Sequence, residues 1–159
     1  MPRLETGSRF PALSIPAVGG GHITLPDDLA GSFGVVLVYR GSWCPYCNAQ
    51  LASFSRHYDK LIELGAKVVA FSVDDEPAAA ELAAKHGLRF PVGHSADGPA
   101  IAAAIGAYLN DEPRYLHSTG FVLDPDGTVL TAVYANGPIG RLVAEDVIGF
   151  LRYVQGRAA

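Results

Sequence analysis

The stretch from residue 35 to residue 47 constrains this chain more than any other, because a buried strand ends there and the two cysteines of the protein follow at once. Val35-Val36-Leu37-Val38-Tyr39 is short, rich in β-branched residues and bounded by Gly34 and Gly41. Such a run is a strand covered on both faces. Beyond it, Cys47, Leu51, Phe54, Tyr58 and Leu61 fall at spacings of four, three, four and three, one face of a helix over residues 48–64. The pair Cys44 and Cys47 therefore sits where the strand turns into the first turn of an amphipathic helix. Pro45 suits the first helical position, which puts Cys44 at the N-cap. Unpaired backbone N–H groups and roughly half a positive charge meet there, so a thiolate is favoured over a thiol. Two thiols so placed make a reversible dithiol.

The rest of the chain supplies a core for that unit. Residues 1–159 are expected to form one domain, within the usual ~100–200 residues. Hydrophobic residues are 49% and charged residues 18%, which predicts a packed globule. A net charge of −4 without any Lys or Arg run argues against nucleic acid or an anionic membrane as partner. No stretch approaches the ~18 apolar residues of a membrane span, and the N-terminus has no apolar segment, so a soluble cytoplasmic protein is expected. One Cys-x-x-Cys is not a secreted disulfide framework. His22, His57, His86, His94 and His117 lack paired spacing, while structural zinc takes about four ligands, so no metal or other cofactor is expected.

Residues 7–31 are rich in Gly and Pro, and Gly19-Gly20-Gly21 reads as a turn between two small strands rather than a phosphate loop. A second buried strand covers 67–73, with Gly65 capping the helix before it. Asp74 or Asp75 caps a helix from Glu76 to about His86. Phe90-Pro91-Val92 reads as a short strand and 99–109 as an alanine-rich helix. Strands at 120–123 and 129–134 flank the turn Asp124-Pro125-Asp126-Gly127, and a helix over 144–154 closes the chain. Early βα alternation followed by a hairpin predicts an α/β fold, a central mixed sheet with helices on both faces.

With this order in view, the chain resembles the peroxiredoxin branch of the thioredoxin fold, the alkyl hydroperoxide reductase/thiol-specific antioxidant family. Gly7-x-x-Phe10-Pro11-x-Leu13 and Ile23-x-Leu25 resemble the family's N-terminal extension. The run from Val36 through Arg40-Gly41-Ser42-Trp43-Cys44-Pro45-Tyr46-Cys47-Asn48-x-Gln50-Leu51 resembles a subgroup with Cys-Pro-Tyr-Cys. Phe71-Ser72-Val73-Asp74, Phe90-Pro91-Val92 and Gly120-Phe121-Val122-Leu123-Asp124-x-Asp126-Gly127 resemble its later sheet. The resemblance implies an antioxidant enzyme that reduces hydroperoxides through Cys44 and Cys47, cycling to an intramolecular disulfide. It implies an external thiol reductant, a thioredoxin-like protein or a low-molecular-weight thiol, and a monomer or homodimer. Peroxiredoxins carry Pro, Thr or Ser, and the peroxidatic Cys at spacings of four and three; here those places hold Arg40, Cys44 and Cys47. The family's later arginine falls on Ser118. A thiol–disulfide oxidoreductase acting on protein disulfides is the alternative.

The candidate site residues follow from these placements. Cys44, at the helix tip, has the position of the attacking thiol in disulfide exchange, with Cys47 half-buried behind it as resolver; the family register instead favours Cys47 for peroxide. Arg40 ends the motif strand and is a candidate partner for a thiolate or a peroxide oxygen. Trp43, Pro45 and Tyr46 flank the pair as candidate substrate or partner contacts, and so do Ser118 and Thr119, with His117, across the sheet. Asp74-Asp75-Glu76 reads as a solvated helix start, His57 as a surface residue, and Arg141 as a packing or capping residue.

Overall fold

The computed structural model describes residues 3–158 of the chain. Its centre is β3 (Phe33–Val38), which pairs in parallel with β4 (Ala66–Phe71) and antiparallel with β8 (Thr119–Leu123), so that Val36 lies opposite Val69 on one side and Phe121 on the other. With β5 (Val92–Gly93) and β9 (Val129–Tyr134) the sheet has the order β5-β4-β3-β8-β9. A strand flanked on both sides must be apolar on both faces, and β3 is buried from Gly34 to Val38.

The two-residue period of β3 sorts the core into two layers. Val35, Leu37 and Tyr39 join Cys44, Cys47, Leu51 and Phe54 of α1 (Pro45–Arg56), Ala79 and Leu82 of α3 (Glu76–Lys85), and Val147 and Leu151 of α5 (Ala144–Ala158). Val36 and Val38 join Ile101 and Ile105 of α4 (Gly98–Ile105), and Ile15 and Ile23 of the hairpin β1 (Leu13–Pro16) and β2 (His22–Leu25). Helices thus cover both faces of a mixed sheet, the architecture expected from the sequence. Phe54 is fully buried, worth about 2–3 kcal/mol of apolar transfer.

Three elements differ from the sequence reading. The motif helix starts at Pro45 and breaks at His57, leaving a short α2 (Tyr58–Glu63). The His57 ring places Nδ1 2.8 Å from the Ser53 carbonyl and competes with the backbone for it, yet the stripe stays buried through Leu61. The helix expected over 99–109 stops at Ile105, because Gly106 takes a left-handed conformation (φ 78°). The chain then folds into a hairpin that periodicity did not reveal, β6 (Leu109–Asp111) and β7 (Arg114–Leu116), closed by Asn110 Nδ2 donating to the Pro113 carbonyl. The strand expected at Phe90 is only Val92–Gly93. Among the described residues no helix is long and apolar enough to cross a membrane.

Candidate active site

The end of β3 and the start of α1 bring the motif together. Cys44 is the N-cap of α1 with extended backbone, and its Sγ accepts the Cys47 N–H at 3.4 Å. That is the role a serine or aspartate oxygen plays at other helix starts, filled here by sulfur. Cys47, one turn in, has its Sγ 3.3 Å from the Arg40 backbone N–H. Both sulfurs are free thiols and fully buried. Cys44 thus stands at the helix tip as read, but it is closed over, and Cys47, read as half-buried, is fully buried as well.

A guanidinium meets each thiol. Arg40 Nη1 lies 3.6 Å from Cys44 Sγ, and Arg141 Nη1 lies 3.4 Å from Cys47 Sγ. Arg141 is held by Gln50 Oε1 at 3.2 Å and by the Pro138 carbonyl, while Gln50 donates to the Leu142 carbonyl. The packing or capping role read for Arg141 is thus incomplete, since its charge reaches the dithiol across 94 residues of sequence. The two sulfurs differ in consequence. Burial opposes ionisation of Cys44, but donors from Cys47 and Arg40 and the charge of Arg141 outweigh it and hold this thiol below its ordinary value. Cys47 moves the other way, because burial and the hydrogen bond with Cys44 outweigh the Arg40 N–H and Arg141.

The loop before Cys44 is fixed from within the fold. Asp74 Oδ2 accepts the Ser42 N–H at 2.7 Å, and Asn48 Nδ2 donates to the Ser42 and Cys44 carbonyls at 2.8 Å each. His86 Nε2 lies 2.6 Å from Asn48 Oδ1. Asp75, not Asp74, caps α3, and burial raises the Asp74 carboxyl above its usual range. The acidic run is therefore only partly a solvated helix start. His57, read as a surface residue, is half-buried.

The flanking residues divide into two groups. Trp43 and Tyr46 are 53% and 51% exposed, next in sequence to the buried cysteines. Pro45 occupies the first turn of α1 as expected. Ser118, just before β8, and Thr119, its first residue, are by contrast buried at 2% exposure each, and neither hydrogen-bonds to a cysteine. Thr119 lies opposite Val38 in the β3–β8 register, so its side chain serves the core rather than a docking partner. His117 stacks edge-on against Tyr115, and burial together with the nearby Arg40 charge lowers its basicity. A largely apolar cleft of about 260 Å³ opens beside the pair, between Tyr46, Phe54 and the segment from Arg141 to Ala144. Among the described residues no cluster of three or more His, Cys, Asp or Glu could hold a metal.

Sequence reasoning missed Tyr115, Arg141, Asn48, Gln50 and Asp74. Asn48 and Gln50 stood inside the quoted motif and Arg141 in the closing segment, so each carried a signal. Tyr115 carried none.

Residues 6–132 match the sequence model described as the AhpC/TSA family. The chain belongs to the AhpC/TSA family. This AhpC/TSA protein is 25% identical over 145 residues to Peroxiredoxin 1 of Picrophilus torridus, covering 87% of this chain and 63% of that protein's length. It is 28% identical over 153 residues to the thiol-disulfide oxidoreductase ResA of Bacillus thuringiensis, covering 96% of this chain and 80% of ResA. Its fold is also that of the peroxidoxin BcpB from Mycobacterium tuberculosis, with a TM-score of 0.83 over 96% of this chain and 99% of that one at 22% identity.

Proposed function

We propose that this AhpC/TSA protein is a thiol-dependent peroxidase in which Cys44 attacks and Cys47 resolves. The observation that carries this reading is the asymmetry of the pair: Cys44 is held below its ordinary value beside the Arg40 guanidinium, and Cys47 stays a protonated thiol one turn away. The Cys44 thiolate attacks one oxygen of a hydroperoxide, the O–O bond breaks, and the leaving alkoxide or hydroxide takes a proton. Cys44 is now a sulfenic acid. The Cys47 sulfur displaces its hydroxyl, which leaves as water with the Cys47 proton, and an intramolecular disulfide remains. An external thiol, a thioredoxin-like protein or a low-molecular-weight thiol, returns the pair to the reduced state at the cost of its own oxidation. Arg40 Nη1 and the helix-start N–H groups are the donors available to the breaking O–O bond, and the cleft by Arg141 suits the carbon skeleton of an organic hydroperoxide. A lone dithiol that must be kept reduced suits the cytoplasm, with residues 1–159 acting as one domain.

Stopped-flow mixing of the reduced protein with hydrogen peroxide and with tert-butyl hydroperoxide tests this. Oxidation much faster than that of free cysteine at the same pH is the expected result. A rate no faster than free cysteine's, together with rapid reduction of a protein disulfide such as insulin's, moves the reading to a thiol–disulfide oxidoreductase. The similarity to ResA and the exposed Trp43 and Tyr46 beside the pair favour that second reading.

A further inference from the structure

Resting on the thiolate role of Cys44, we propose that Tyr115 is a positioning residue of this site, whose hydroxyl holds the Arg40 guanidinium against the Cys44 sulfur. Arg40 has no carboxylate within ion-pairing distance among the described residues, and its Nε is buried without a partner. A long side chain with so few bonds has about 2 kcal/mol of rotamer entropy to lose before it can serve one sulfur. Three contacts beyond the thiol hold it. Arg40 Nη2 donates to Tyr115 Oη at 3.0 Å, and the guanidinium carbon stands 4.8 Å from the Trp43 ring and 5.0 Å from the Tyr115 ring. The two rings meet edge to face at 4.9 Å, and the cation rests against both of them.

The origin of each part makes the arrangement specific. Position 118, where the resemblance expects the family's arginine, is a buried serine, and the cation comes instead from the far end of β3. Tyr115 comes from β7, the hairpin strand that periodicity did not predict, and is set by its pairing with Asn110. A cation delivered from a strand end needs an external anchor, and among the described residues the phenol oxygen is the one hydrogen-bond acceptor besides Cys44 that reaches its side chain.

Tyr115→Phe removes only the hydroxyl and keeps the ring between Trp43 and His117. The test is the pH profile of iodoacetamide alkylation in a Cys47→Ser background, where Cys44 is the chain's one thiol. Tyr115→Phe should raise the alkylation midpoint by about half a unit to one unit, a roughly 3- to 10-fold loss of thiolate below the midpoint. In Arg40→Met the same substitution should add nothing, because the hydroxyl acts through the guanidinium. Emission of Trp43, the chain's one tryptophan, should stay unchanged and report an intact ring stack. An unmoved midpoint overturns the proposal, as does an equal shift with and without Arg40, which makes the tyrosine structural. The alkylation assay uses no peroxide, so its outcome is separate from that of the peroxidase reading.

Discussion

Replacing Arg40 by methionine isolates the charge on Cys44 while keeping most of the side chain's bulk. At the 3.6 Å separation of Nη1 and Sγ, a full charge pair at an effective dielectric of about 20 would interact by about 4–5 kcal/mol. The guanidinium is only partly buried and the thiol keeps its bond from the Cys47 N–H, so the net loss is that of one charge-assisted hydrogen bond, about 1.5–3 kcal/mol. That corresponds to a rise of about 1–2 units in the Cys44 midpoint. Exchange rates respond less than thiolate fraction, since a more basic thiolate is a better nucleophile with a Brønsted slope of about 0.4–0.5. At pH 7 the Arg40→Met protein should react with 2-hydroxyethyl disulfide about 3- to 10-fold more slowly than the parent. Above the variant's own midpoint it should react about 3- to 8-fold faster. The two pH–rate profiles must therefore cross. Profiles that run parallel, with the variant slower at every pH, would show that Arg40 governs access to the sulfur and not its ionisation, and the electrostatic account of Cys44 would be withdrawn.

Three further outcomes follow from the same geometry. Cys47→Ser should accumulate a mixed disulfide with a small disulfide on Cys44, while Cys44→Ser should trap almost none, read by mass spectrometry of the intact protein; efficient trapping through Cys47 would reverse the assignment. Burial pushes the Tyr39 phenol up to about 12, and its hydroxyl, close to Ser72, has no hydrogen bond of good geometry. Tyr39→Phe should therefore raise stability by about 1 kcal/mol in urea at pH 7. The wild-type protein should also lose stability as pH climbs from 10 towards 12, where the unfolded tyrosine ionises before the folded one, and the variant should lack that component; equal alkaline slopes would contradict it. A Cβ on Gly41 would fall inside the Trp43 indole, so Gly41→Ala should displace that ring, change its emission and lower the urea midpoint by about 1–3 kcal/mol equivalent. Unchanged emission would mean the ring is held from elsewhere.

The parts of the fold legible in the sequence are those set by local rules. The run Val35–Tyr39, the stripe Cys47, Leu51, Phe54 and Leu61, an aspartate cap at 74 or 75 and the Asp124–Gly127 turn each state their structure over a short local stretch. The β6–β7 hairpin does not. Its strands have three residues each, too few to show a period, and it exists because Gly106 stops α4 and Asn110 closes the turn. The site divides in the same way. Cys44, Cys47 and Arg40 lie within one strand–helix join, so spacing alone places them together. Arg141 and Tyr115 arrive from 94 and 75 residues away, and only the packed chain brings them in. Ser118 and Thr119 took their place beside the site from a family pattern, which does not give side-chain direction; the register sets Thr119 opposite Val38, in the layer away from the cysteines.

The electrostatics also bear on why the departures from the peroxiredoxin pattern come together. With sulfur at both the Thr place and the Cys place, two thiols share one helix start, and only the outer one can take the Cys47 N–H. A thiolate is then favoured at position 44, one turn nearer the tip than the family register would have it. The cation for such a thiolate does not come from position 118, which holds a buried serine. It comes from position 40, where proline in the family pattern could supply neither charge nor the backbone N–H that Cys47 accepts here. Arginine at 40, cysteine at 44 and serine at 118 are thus one coupled change. Each is intelligible given the other two.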